Sequence, residues 1–333
     1  MVASDSSTNN KNTEVTPSSP EWMTHLQEML DDPLTKMQVT RPSTNDLGWL
    51  NPLFTQVNLP LRQPRDGSSE WIKENGGVRL SVQAGDVFDV KTGEYKKILP
   101  YGKIARAGLL YFLSEIYRTG ERKIQLGNTQ GEFMERLGFQ WGGSSGKRLQ
   151  QQLGALASAR FSITTTVFPS YTDSDGETKT GAAQVNRQFL LANESALWFG
   201  SDPHQLSLFP AFIVASEEMM RLAEKPMPVD MRHWRWLNEQ SKSAFPLDVY
   251  LWLAERAHRA SGTGTFIKWD QLQNQFGATF KSLAGFQRAF WSAVSLVQKV
   301  YPEAKIVKAQ GGVILYKSLP AVRNNRPSQF LTS

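Results

Sequence analysis

The side chains with the most chemistry to offer are few and scattered. His25, His204, His233 and His258 stand apart from one another and the chain has no cysteine, which removes thiol nucleophiles, Cys-ligated zinc and paired-His metal sites. Gly142-Gly143-Ser144-Ser145-Gly146-Lys147-Arg148 has the outline of a phosphate loop. Its glycine spacing is one residue short from Gly142, however, and Arg148 stands where a Ser or Thr would hold magnesium. Asp230, His233 and Ser243 have the residue types of a nucleophilic set, with nothing in the sequence to orient them. Tyr111, Tyr117, Tyr250 and Tyr301 fall in apolar periodic stretches and read as core. No catalytic constellation, cofactor or metal is expected, and the chain reads as non-enzymatic.

What remains is the chemistry of recognition. On a helix through Leu149, Leu153 and Leu156, the side chains Lys147, Gln151 and Ser158 project away from the apolar stripe, with Ser144 and Arg148 beside them. Arg and Gln are the residues that read guanine and adenine edges with two hydrogen bonds at once. A second long helix carries Leu283, Phe286, Phe290, Val294 and Val297 on one stripe and Lys281, Gly285, Arg288, Ser292 and Lys299 on the other. No Asp or Glu occurs between Glu135 and Asp173, and a surface free of carboxylates suits a polyphosphate backbone. Lys103, Arg106, Lys305 and Lys308 are candidate phosphate contacts.

The whole chain agrees with that reading. It has 333 residues with 37 Lys and Arg against 31 Asp and Glu, a formal charge of +6 and a pI near 9.4. Residues 1–60 hold three basic and seven acidic side chains, so the rest carries all of the positive excess, which attracts polyanions. Neither an export signal nor an apolar stretch of spanning length is present, and the chain reads as a cytoplasmic protein with no membrane partner.

The elements that position these side chains repeat. A helix with Leu109, Leu110, Phe112 and Leu113 stops at Thr119-Gly120; a strand at 122–126, a helix capped by Thr129 and ending at Gly138, the Leu149 helix and a strand at 160–168 follow. A polar tip at 170–181 and return strands at 185–198 complete the unit. About 140 residues later come a helix with Val249, Leu251 and Leu253, a strand at 265–269, a helix ending at Gly277, a helix over 281–299 and a hairpin over 305–317. Three helices closed by a β-hairpin make a winged helix, whose third helix enters the major groove. The expected class is α+β with tandem winged-helix domains. Residues 1–70 form an acidic, largely disordered segment with one short amphipathic helix at Trp22, Leu26 and Leu30. Residues 71–225 form the first winged helix with a preceding hairpin, 226–320 the second, and 321–333 a tail.

The motifs Pro100-Tyr101-Gly102-Lys103, Leu109-Leu110-Tyr111-Phe112-Leu113, Arg118-Thr119-Gly120 and Ile124-Gln125-Leu126-Gly127 occur in that order. With Pro246-Leu247-Asp248-Val249-Tyr250-Leu251-Trp252-Leu253 and Tyr301-Pro302-Glu303-Ala304 they resemble the RepA-type plasmid replication initiators over residues 78–320. The resemblance implies a bacterial, plasmid-encoded protein that binds directly repeated sequences in double-stranded origin DNA, opens an AT-rich duplex with a host initiator and recruits the replicative helicase. It also implies a homodimer that represses its own gene and a monomer active at the origin. A transcriptional repressor with the same DNA grip and no replication role is the rival reading. A nicking enzyme is disfavoured by the missing His pair.

Overall fold

The computed structural model describes Met23 and residues 31–322, apart from 65, 90–91, 141, 143–144, 173–176, 199–209 and 277–279. The expected helix at Trp22, Leu26 and Leu30 therefore lies outside the described residues, as does the 321–333 tail beyond Val322. The fold is a mixed α and β architecture of small sheets. No helix among the described residues is long and apolar enough to cross a membrane.

The first element described in full is helix α1 (Pro33–Val39), started by Asp32, whose carboxylate accepts from the Thr35 amide, and by Pro33 in the first turn. Strand β1 (Leu47–Leu50) and helix α2 (Leu53–Gln56) follow. Leu50, Phe54, Val57 and Leu59 are all buried in the main core. This corrects the expectation of a largely disordered segment reaching to residue 70: β1 pairs antiparallel with β13 (Met227–Asp230). A partner 180 residues away leaves no local sign.

Strands β2 (Glu70–Asn75) and β3 (Val78–Gln83) turn at Gly76-Gly77, both with positive φ. Strands β4 (Gly85–Asp89) and β5 (Glu94–Ile98) form the expected hairpin. Helix α3 (Gly102–Thr119) ends at Gly120, whose left-handed φ of 71° closes the last turn. Strand β6 (Lys123–Gly127), helix α4 (Gln130–Arg136) capped by Thr129, and helix α5 (Ser145–Ser158) come next. Strand β7 (Arg160–Val167) then leads through the small hairpin β8 (Ser170–Thr172) and β9 (Thr178–Thr180) to β10 (Ala183–Leu190). These build a four-stranded sheet in the order β10-β7-β3-β2. Strands β11 (Ala192–Ala196) and β12 (Ala211–Ala215) belong to a different sheet, ordered β11-β12-β6. The expected return strands at 185–198 are thus two strands that lie in two different sheets.

Helix α6 (Glu217–Leu222) and β13 lead to helix α7 (Met231–Gln240) and helix α8 (Phe245–Arg256). Strand β14 (Thr265–Lys268), helix α9 (Trp269–Phe276), helix α10 (Leu283–Val300) and strands β15 (Ile306–Ala309) and β16 (Gly312–Leu315) are the last elements among the described residues. Their sheet is ordered β14-β16-β15. The two three-stranded sheets share one plan: the strand before the two helices lies at an edge and the last strand lies in the middle.

The halves meet through a buried ionic network. The Arg106 guanidinium on α3 makes two hydrogen bonds to the Asp248 carboxylate on α8, at 2.7 and 2.8 Å, and donates to the carbonyls of Leu59, Pro60 and Gly102. Asn58 donates to the same carboxylate. Burial pushes the Asp248 carboxyl up against the opposing pull of Arg106 and Lys73. Lys73 on β2 is buried and its pKa is pushed down to about 8, the nearby Asp248 charge opposing this shift. Between that value and the ordinary 10.5 the unfolded chain holds more protons on this group than the folded one, so its contribution makes stability rise with pH. Lys73→Met is expected to abolish that rise. Denaturant titrations at pH 8 and pH 10.5 check this, and an unchanged difference between the two proteins would refute it.

Candidate nucleic-acid interface

Helix α10 starts at Ser282, whose hydroxyl accepts from the Gly285 amide. Its aromatic and branched residues Phe286, Phe290, Val294 and Val297 are buried, and Phe286 and Phe290 pack edge-on against Trp269. The opposite side presents Lys281, Ala284, Arg288, Ser292 and Lys299 to solvent. Lys281, Arg288 and Lys299 have no ion-pair partner among the described residues. A helix of this length spans about 27 Å, so Lys281 and Arg288 mark its N-terminal half and Lys299 its far end. There the Lys299 carbonyl accepts from Gln38 of α1 at 2.7 Å, so α1 flanks that end. Beside the helix, Lys308 lies 5.5 Å from the centre of the Trp291 ring. Lys305 is exposed at the start of β15.

The sequence around this helix carries a further charge signal. From residue 271 to residue 333 there are eight Lys and Arg side chains and one carboxylate, Glu303. The longest carboxylate-free run is elsewhere, and in the fold that run does not keep its promise.

Helix α5 is crossed by the β4–β5 hairpin along the side that carries Lys147, Gln151 and Ser158. Val87 lies against Gly154, where a Cβ would come within 3.1 Å of it. Gly85 fits against the Ser158 backbone so closely that a Cβ would meet the carbonyl oxygen at 2.1 Å. Val87, Ile98 and Ala155 form a small buried core under the hairpin, and Lys147 lies 3.6 Å from Asp89. The expectation that this side of α5 lies open to DNA is therefore corrected: Gln151 and Ser158 are half-buried beneath a hairpin that carries Asp86, Asp89 and Glu94. Lys147 and Arg148 remain exposed at the N-terminal end. Ser144 lies outside the described residues.

Two further expectations change. Arg106 is 6 % exposed and fully engaged by Asp248 and three carbonyls, so it is an interior residue and not a phosphate contact. Lys103 donates to the carbonyls of Asn238 and Ser241 at 2.6 and 2.7 Å, closing the C-terminal end of α7. It is half-buried, and burial pushes its pKa down.

The residues set aside as catalytic decoys have structural tasks. Asp230 caps α7 and pairs with Arg232 at 2.7 Å. His233 is buried 3.4 Å from the Tyr250 hydroxyl, and its pKa is lowered chiefly by burial. Ser243 accepts from the Phe245 amide at the start of α8. The segment at Gly142–Arg148 follows a helix and a loop, without the strand a phosphate loop needs. Among the described residues no group of three or more His, Asp or Glu is placed to hold a metal ion.

The geometry that survives is one open basic helix face beside a β-hairpin, with a second, smaller basic spot at the start of α5. No protein of curated function matches the chain in sequence. Among solved structures, a crystal structure of domains 2 and 3 of RctB is similar at 9% identity and a TM-score of 0.46, covering 80% of this chain and 99% of that one. A second crystal structure of RctB domains 2–3 is similar at 9% identity and a TM-score of 0.42, covering 79% and 94%. The family model described as plasmid encoded RepA protein matches residues 99–271, more than half of the chain, and this protein belongs to that family.

Proposed function

We propose that the chain is a non-enzymatic plasmid replication initiator that grips double-stranded origin DNA through two winged helices of unequal weight. The shared order of the β11-β12-β6 and β14-β16-β15 sheets supports the winged-helix reading of both units. Residues 71–225 and 226–320 serve as those units. The observation that carries the proposal is the face of α10: Lys281 and Arg288 stand exposed, without ion-pair partners among the described residues, at the start and in the first half of a third helix, which meets base edges in this geometry. Lys305 and Lys308 supply backbone contacts from the wing. The first unit contributes Lys147 and Arg148 at the tip of α5, as phosphate contacts, because the rest of that helix is covered.

Binding energy at an array of repeats is spent on deforming the duplex, with a host initiator and helicase recruited to the opened strand and a dimer repressing the gene. A footprint of the purified protein on the DNA flanking its gene tests the proposal. Several protected tracts in one orientation, spaced near whole turns of roughly 10–10.5 base pairs, are expected. A single two-fold symmetric tract over a promoter would instead make the protein a transcriptional repressor.

A further inference from the structure

The sheet β14-β16-β15 has two faces with opposite fates. Ile267, Val313, Leu315 and Ile306 point inward and are buried. On the outer face, register places Phe266 opposite Ile314, and Ile314 opposite Val307, in one row across all three strands. Phe266 is 48% exposed and Val307 44%. Tyr316 continues the apolar surface beside Gly264, whose added Cβ would meet Ile314 and Tyr316. Exposed Lys268, Lys305 and Lys317 border the row. An apolar centre with a basic rim suits an acidic amphipathic segment.

The N-terminal residues contain such a segment, most of it outside the described residues. Between Lys11 and Lys36 there is no basic side chain other than His25, while Glu14, Glu21, Glu28, Asp31 and Asp32 are all acidic. Ser19-Pro20-Glu21 has the pattern of a helix start, and Trp22, Leu26 and Leu30 follow at the spacing of one helical stripe. That stripe is about 12 Å long. The row from Phe266 to Val307 crosses two strand spacings, about 10 Å. The segment is tethered nearby: it runs into α1, whose Gln38 bonds the carbonyl of Lys299, six residues before Lys305. Leu26 is seven residues from Pro33, a span of at most about 25 Å.

We propose that residues 19–30 dock as an amphipathic helix on the outer face of this sheet, with Trp22, Leu26 and Leu30 over Phe266, Ile314 and Val307 and the carboxylates against Lys268 and Lys317. This face lies opposite the one that packs on α10, so docking leaves Lys281 and Arg288 open. The N-terminal segment thereby becomes a fixed part of the second unit, held beside the DNA-reading helix without covering it.

Full-length protein provides the test, and the absence of native cysteine makes an introduced pair unambiguous. Leu26→Cys with Phe266→Cys is expected to close an intramolecular disulfide under mild oxidation, while Leu26→Cys with Val185→Cys is not. Amide hydrogen exchange at residues 22–30 is expected to be slowed in the native chain. Phe266→Thr with Val307→Thr, which adds no charge beside the wing, should speed it at least tenfold without moving the thermal midpoint or DNA affinity. Should that pair of changes impair folding, Lys268→Glu with Lys317→Glu should give the same release. Unprotected amides in the native chain, protection indifferent to both pairs of changes, or disulfides only between two molecules would overturn the proposal. Because DNA affinity is read separately, failure here is distinct from failure of the DNA-reading role of α10.

Discussion

Asp248→Ala is expected to cost about 3–5 kcal/mol of stability, because it strands the Arg106 guanidinium in the interior without its counter-charge. Desolvating two ions is unfavourable, and only their close pairing offsets it. The pair here is close and doubly bonded, and the remaining Arg106 hydrogens are satisfied by the carbonyls of Leu59, Pro60 and Gly102. Removing one partner therefore leaves a buried charge, whereas removing both need not. Arg106→Met combined with Asp248→Leu is expected to recover most of the loss. Denaturant unfolding of the three variants measures both terms. A single-variant loss below about 1 kcal/mol, or a double variant no more stable than Asp248→Ala, would refute this account of how α3 and α8 are joined.

This pair also marks where the sequence stops being readable. The turns that bound helices were legible because their causes are local. Thr129 offers its side-chain oxygen to the amide three residues on, and Gly120 and Gly138 supply the left-handed conformation at the stops. The buried stripe of α10 from Phe286 to Val297 was legible for the same reason, its period being a property of one helix, whereas Leu283 at its start is exposed and not part of the core. Arg106 and Lys103 looked like surface cations because Asp248, which pairs with Arg106, and Asn238 and Ser241, which hold Lys103, lie 135 to 142 residues away. The carboxylate-free run after Glu135 misled in the same manner. Electrostatics acts through space, and β4–β5 brings Asp86 and Asp89 to the helix that the run had left without acid. The basic side chains of α10 meet no such cover: Lys281, Arg288 and Lys299 are exposed and have no ion-pair partner among the described residues.

The second large effect follows from that contrast between the two third helices. Arg288→Ala is expected to weaken binding to the repeated origin sequence by about 1–3 kcal/mol while changing affinity for random duplex little, as removal of a base-reading side chain should. Lys147→Ala should act differently. Its ammonium already lies 3.6 Å from Asp89 and 53% of its side chain is exposed, so it meets a phosphate at most. Its loss should lower affinity equally on all sequences and reduce the salt slope by roughly one counterion. Titrations of both variants on specific and random DNA across a salt series separate the two behaviours. If Lys147→Ala relaxed specificity and Arg288→Ala did not, the hairpin over α5 would have to move aside on DNA, and the first unit, not the second, would be the reader.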